Sequence, residues 1–143
     1  MGCSYQIKRR DNWPILLAQF LRERKDCPFV WGANDCTLFT AAAIEAITGL
    51  DPAADWRGQY ESREGAYKVL EQFGGLEAAV THVIGILPET NIRLASRGDI
   101  VMIEEDGALA IGIVDESGRR IAVMTMTGIA RVSLKRALCA WRY

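Results

Sequence analysis

The sequence predicts an α+β domain, with helices in the first half and an antiparallel sheet in the second. Three observations predict it. Apolar residues recur at helical spacing as far as Val83. After Pro88 the pattern turns to alternation rich in β-branched residues. Glycine-containing turn signals then separate these short runs, as hairpins require. Helices first and strands afterwards indicate α+β rather than a parallel α/β sheet. At 143 residues the chain has the length of one domain. A chain of this size buries roughly 70% of its unfolded surface, enough for a core without staples. We therefore read 1–143 as a single domain, with 1–10 as an amino-terminal arm.

The elements follow in order. Asp11 or Asn12 can cap a first helix whose early Pro14 sits where a missing N–H costs nothing. Trp13, Leu17, Phe20, Leu21 and Arg24 keep its helical period, and Asp26-Cys27-Pro28 breaks it. A second helix is expected from Asp35 to Thr48, stopped by a left-handed Gly49, with Cys36, Phe39, Ala43 and Ile47 close to one face. A third spans Ser62 to Phe73 and ends at Gly74-Gly75, with Ala66, Val69, Leu70 and Phe73 inward. A short fourth covers Leu76 to Val83. Strands are expected near Asp99–Glu104, Leu109–Asp115, Arg120–Met126, Ile129–Ser133 and Leu138–Arg142. Glu105-Asp106-Gly107, Glu116-Ser117-Gly118 and Thr127-Gly128 supply the turns.

Composition excludes several classes of function. Lys and Arg total 17 against 18 Asp and Glu, so charge offers no case for nucleic acid or an anionic membrane. The one basic run, Lys8-Arg9-Arg10, reads as a solvated or locally interacting surface. No apolar segment approaches the roughly 20 residues that span a bilayer, and MGCSYQIKRR lacks the apolar core of a signal peptide. Gly2 and Cys3 look like acylation sites, but Gln6 stands where the myristoylation pattern wants Ser or Thr. Cys3, Cys27, Cys36 and Cys139 show no paired C-x-x-C spacing, so reduced thiols are expected, with no metal site and no cofactor. Cys27 and Cys139 read as packing residues.

Cys36 is the residue type and position that carry chemistry. A thiol at a helix amino terminus meets unpaired N–H groups and the positive end of the helix dipole, which lower its pKa. A nucleophile also needs a base, usually histidine. This chain has one histidine, His82, in an apolar neighbourhood before the sheet.

Trp31-Gly32-Ala33-Asn34-Asp35-Cys36 before a helix, then Arg97-Gly98-Asp99-Ile100-Val101 opening the sheet, resembles the NlpC-type papain-like cell-wall peptidases. Phe29-x-Trp31-Gly32-x-Asn34-Asp35-Cys36, Thr48-Gly49-x-Asp51, Arg57-Gly58-x-Tyr60, Gly74-Gly75 and Ala140-Trp141-Arg142 resemble, more closely, a family of small proteins from tailed-phage and prophage tail modules. The resemblance runs from about Asn12 to Tyr143. It implies a papain-like NlpC-type topology. It also implies a place in the virion tail, assembled in the host cytoplasm at the tail tip or baseplate beside hub and minor tail proteins.

The departure from the peptidase pattern decides the expected activity. The peptidases open the strand after Gly-Asp with the catalytic histidine, and Ala110 holds that position in Ala108-Leu109-Ala110-Ile111-Gly112-Ile113-Val114. The third catalytic group would fall near Met124 or Thr125, neither of which orients an imidazole. Cys36 is then vestigial, because a thiol without its base loses roughly 10²–10⁴ in rate. The expected function is a catalytically degenerate structural module contacting tail hub proteins. The alternative is a cysteine peptidase or amidase acting on host peptidoglycan during entry, with Cys36 as nucleophile and His82 as base. A third option is an assembly helper absent from the finished particle.

Remaining features have plainer readings. Arg97-Gly98-Asp99 fits a strand entry better than an adhesion loop, and the scattered tryptophans fit packing better than a sugar platform. Asp35 is expected to cap the second helix or to position a substrate. Trp56, Arg57 and Tyr60 lie in a long connection between helices, where binding residues concentrate, and form the expected partner-contact patch.

Overall fold

In the computed structural model, which describes residues 7–143, four helices precede a five-stranded antiparallel sheet. Helix α1 (Trp13–Glu23) carries Pro14 in its first turn, and Asn12 holds the N-cap position without a side-chain capping bond. Helix α2 (Cys36–Thr48) starts at a capping Asp35 and stops at Gly49, whose φ of 85° lies in the left-handed region. Helix α3 (Arg63–Glu71) is capped by Ser62. It ends short of Phe73 because the Gly75 N–H folds back onto the Leu70 carbonyl at 3.0 Å. Helix α4 (Leu76–Ile84) closes on Gly85.

Helix α2 departs from the single buried stripe expected of it. Leu38, Phe39, Thr40, Ala41, Ala42, Ala43, Ile44 and Ile47 are all buried. The run Thr40–Ala43 has side chains small enough for neighbours to approach from every side. Leu17 and Phe20 of α1 meet it in one cluster, Val80 and Ile84 of α4 in a second, and Tyr60 and Ala66 in a third. A helix buried all round is a core helix, not an amphipathic one.

The strands are β1 (Ile100–Glu105), β2 (Ala108–Val114), β3 (Arg120–Thr125), β4 (Gly128–Ser133) and β5 (Cys139–Trp141), ordered β4-β3-β2-β1-β5. The β1–β2 hairpin turns at Asp106 and Gly107, with φ of 51° and 80°, the conformation that its Asp-Gly pair favours. Alternation divides the sheet into two faces. Ile100, Met102, Ile111 and Ile113 pack against the helices. Val101, Ile103, Val114, Ile121 and Val123 build a separate cluster on the far face, and Ala110 packs against it.

The amino-terminal arm is tied to the domain from its first described residues. Ile7 packs on the helix-side cluster. The Arg9 guanidinium lies between the Trp13 and Tyr143 rings, 4.4 and 4.5 Å from their centroids, and donates to Asp99 Oδ1 at 2.8 Å. Of the basic run, Lys8 and Arg10 are exposed, and Arg9 is part of this clamp. Asp99 is only 2% exposed and also accepts from the Ser96 N–H, so Arg97-Gly98-Asp99 is a strand entry. Gly2 and Cys3, with the acylation reading attached to them, lie outside the described residues. No helix of the described residues is long and apolar enough to cross a membrane, and no group of three or more His, Cys, Asp or Glu among them is placed to hold a metal.

Candidate functional site

The turn before α2 explains why the Trp31–Cys36 stretch has its particular residues. The Asn34 N–H donates to the Val30 carbonyl at 2.7 Å, and Asn34 Nδ2 donates to the Pro28 carbonyl at 2.8 Å. Gly32 has a φ of 80° and sits so close to the Tyr60 carbonyl that any Cβ would overlap it. Asp35 is 1% exposed and fully engaged. Its Oδ1 accepts from the Leu38 N–H at 2.9 Å, and its Oδ2 accepts from the Gly32 N–H at 3.0 Å and the Tyr60 hydroxyl at 2.6 Å. Of the two roles expected for Asp35, the structure gives it the cap. Burial, then the Asp35 carboxylate beside it, pushes the Tyr60 phenol well above its ordinary range.

Cys36 follows as the first residue of α2, half-buried, with its Sγ 3.8 Å from Thr37 Oγ1. Here the expected direction of the pKa shift is reversed. Burial pushes the thiol up and the Asp35 carboxylate adds to it, while backbone N–H groups of Ile111 and Thr37 only partly offset them. At neutral pH the sulfur is held as a thiol. The helix end favours the thiolate, but desolvation outweighs it here, and the adjacent charge is negative.

The strand register decides where a base could come from. Ala110 pairs with Ile103 and packs on the far-face cluster, so its methyl does not face α2. Ile111, the next residue, meets the thiol through its backbone. Met124 Sδ accepts from Asn34 Nδ2 at 3.4 Å, and Thr125 Oγ1 donates to the Gly128 carbonyl at 2.6 Å, so both expected third-group positions are engaged elsewhere. His82 lies in the last turn of α4 with its ring 5.3 Å from Phe73. It lines a cavity with Trp56 and Asp55 that Cys36 does not border. The structure thus brings Cys36, Asp35 and Tyr60 together and leaves His82 in a separate setting.

The expected contact patch divides similarly. Tyr60 is buried on Asp35. Arg57 is a strut, with its Nε 2.9 Å and Nη2 3.0 Å from the two Asp51 oxygens. Trp56 is the one of the three that lines the cavity beside His82. The Arg57 guanidinium holds the Asp51 carboxyl below its ordinary range. A depressed folded-state pKa gives stability that is present above the unfolded value, about 3.9, and lost as pH falls through the folded one. Asp51→Asn is therefore expected to flatten the fall in stability below about pH 4, read from urea midpoints across that range.

Cys27 is half-buried, Cys139 is buried in the helix-side cluster, and both are free, as is Cys36. The Asp35–Tyr60 bond joins residues 25 apart, and no local pattern signals it. The same holds for the approach of Phe73 to His82.

Residues 8–143 match the family described as a domain of unknown function, DUF6950. The chain belongs to that family. No curated protein and no solved structure matches it. The DUF6950 match takes in the Asp35–Cys36 turn, all five strands and the closing Trp141 together, so the site and the sheet belong to one family unit.

Proposed function

We propose that this DUF6950 chain is a non-catalytic structural component of a phage tail tip or baseplate, a peptidase-like module that contacts tail hub proteins. The single observation that carries the non-catalytic half is the setting of Cys36: a half-buried thiol whose neighbouring charge is the Asp35 carboxylate, which together with burial pushes its pKa up. His82 in another cavity supports it, whereas Ala110 lies on the far face, so the expected equivalence of that position with a catalytic histidine carries no weight. The commitment of Asp35 to a helix cap and a tyrosine also supports it. The tail placement and the NlpC-type topology rest on the resemblance of the ordered motifs. A cysteine-first central helix followed by an antiparallel sheet is compatible with both. A packed fold persists when catalytic groups are lost, because function lies in sites rather than folds.

The experiment is a phage carrying Cys36→Ser. Particles are expected to assemble with unchanged yield, and the chain is expected to copurify with tail-tip proteins at a fixed stoichiometry. Its absence from purified virions would favour the assembly-helper reading. Peptidoglycan clearing by the purified protein, lost in both Cys36→Ala and His82→Ala, would replace this reading with the thiol hydrolase. An independent check is the pH dependence of alkylation. Iodoacetamide is expected to label Cys36 more slowly than free cysteine at pH 7, and its rate should rise only above the usual thiol range near 8.5.

A further inference from the structure

Cys36 takes no part in a cavity of about 480 Å³ that opens between the α2–α3 connection and α4. That volume is in the range of small-ligand clefts, roughly 300–1,000 Å³. One wall is aromatic and continuous: the Trp56 and Phe73 centroids are 5.8 Å apart, and those of Phe73 and His82 are 5.3 Å apart. Leu50, Pro52 and Val83 supply an aliphatic lining, and Asp51 and Asp55 supply carboxylates. Arg57 neutralises Asp51. Asp55 also lines the cavity, is exposed, and makes no salt bridge among the described residues.

The combination selects a chemical class. An anion would meet the Asp55 carboxylate, an Asp51 already paired with Arg57, and the aromatic wall. A neutral apolar group would use the wall and leave Asp55 unanswered. A cation on an aliphatic stem uses all three parts, since a ring face attracts a cation within about 6 Å. The geometry points to a binding site for an alkylammonium group, either a free amine or a lysine side chain presented by another protein. Its stem lies along Leu50, Pro52 and Val83, and its head lies between Asp55 and the Trp56–Phe73 wall. Cys36 takes no part in the site, and Trp56 is the one residue it shares with the expected partner-contact patch.

The test titrates the full chain, ¹⁵N-labelled, with n-pentylammonium chloride and with its uncharged counterpart 1-pentanol, following the Trp56 indole N–H. The ammonium is expected to shift that signal saturably and to bind about fivefold to tenfold more tightly than the alcohol, as one ring-face contact and one exposed ion pair together allow. Asp55→Asn, at an exposed position, is expected to bring the ammonium down to the alcohol's affinity while the remaining spectrum stays unchanged. Trp56→Phe should weaken both probes and remove the reporter signal, which identifies it. The peptide acetyl-Gly-Lys-Gly-amide separates the sources. Tighter binding than n-pentylammonium assigns the site to a protein lysine, and weaker binding assigns it to a free amine. No saturable shift at Trp56, equal affinity for ammonium and alcohol, or affinity indifferent to Asp55→Asn would each overturn the assignment.

Discussion

Asp35→Ala is expected to lower the unfolding free energy by about 3–4 kcal/mol, as the sum of a lost cap and buried donors left without an acceptor. The carboxylate serves the Leu38 N–H, the Gly32 N–H and the Tyr60 hydroxyl at once. Losing the first loosens the start of α2. Losing the other two strands a turn amide and a buried phenol, which cannot reach water without opening the connection to α3. Relief of burying a charge offsets part of this, which keeps the figure below the sum of three charge-assisted bonds. Asp35→Asn retains acceptor oxygen and should cost about half as much. Tyr60→Phe should cost about 1–2 kcal/mol, and the Asp35→Ala/Tyr60→Phe double variant should be less destabilised than the two singles added. Urea denaturation reads all four, with the midpoint falling and the slope unchanged. An Asp35→Ala midpoint equal to the parent's would remove the cap from its central place in this fold.

The second large effect is expected at Trp141. Its side chain is fully buried against Ile44, Val80 and Ile100, its backbone pairs β5 with β1, and its Nε1 donates to Thr81 Oγ1 at 3.1 Å. Truncating a buried tryptophan to alanine costs about 3–5 kcal/mol, because the lost area is joined by the cavity left behind. For a domain of this size that lowers the melting temperature by about 10 °C. Trp141→Phe keeps most of the apolar volume but leaves the Thr81 hydroxyl without its donor, and should cost about 1–2 kcal/mol. Calorimetry on the two variants separates volume from hydrogen bond. If Trp141→Ala melted with the parent, the last strand would contribute nothing to the core.

These expectations show where the sequence was legible. The cap at Asp35, the stop at Gly49 and the turn at Asp106-Gly107 are local devices, and each appears where its residue type demands. Period and turn chemistry likewise placed four helices and five strands within a few residues of their observed ends. Helix α2 was read too narrowly, because a run such as Thr40–Ala43 carries no amphipathic contrast to reveal neighbours on three sides. Its thiol was read with the wrong sign, because the helix end is local while the burial that outweighs it is not. The contact patch Trp56, Arg57 and Tyr60 looked uniform in a long connection. Only packing sent Tyr60 to Asp35, Arg57 to Asp51 and Trp56 to a cavity.

The sequence by itself determined the order and kind of the elements, since propensity, caps and turns act within a few residues. Tertiary structure alone decided which face Ala110 occupies, what surrounds the Cys36 sulfur and which residues meet His82. Those outcomes depend on strand register and on contacts between residues far apart in the chain. A pleat of period two turns a one-residue offset into the opposite side of a sheet.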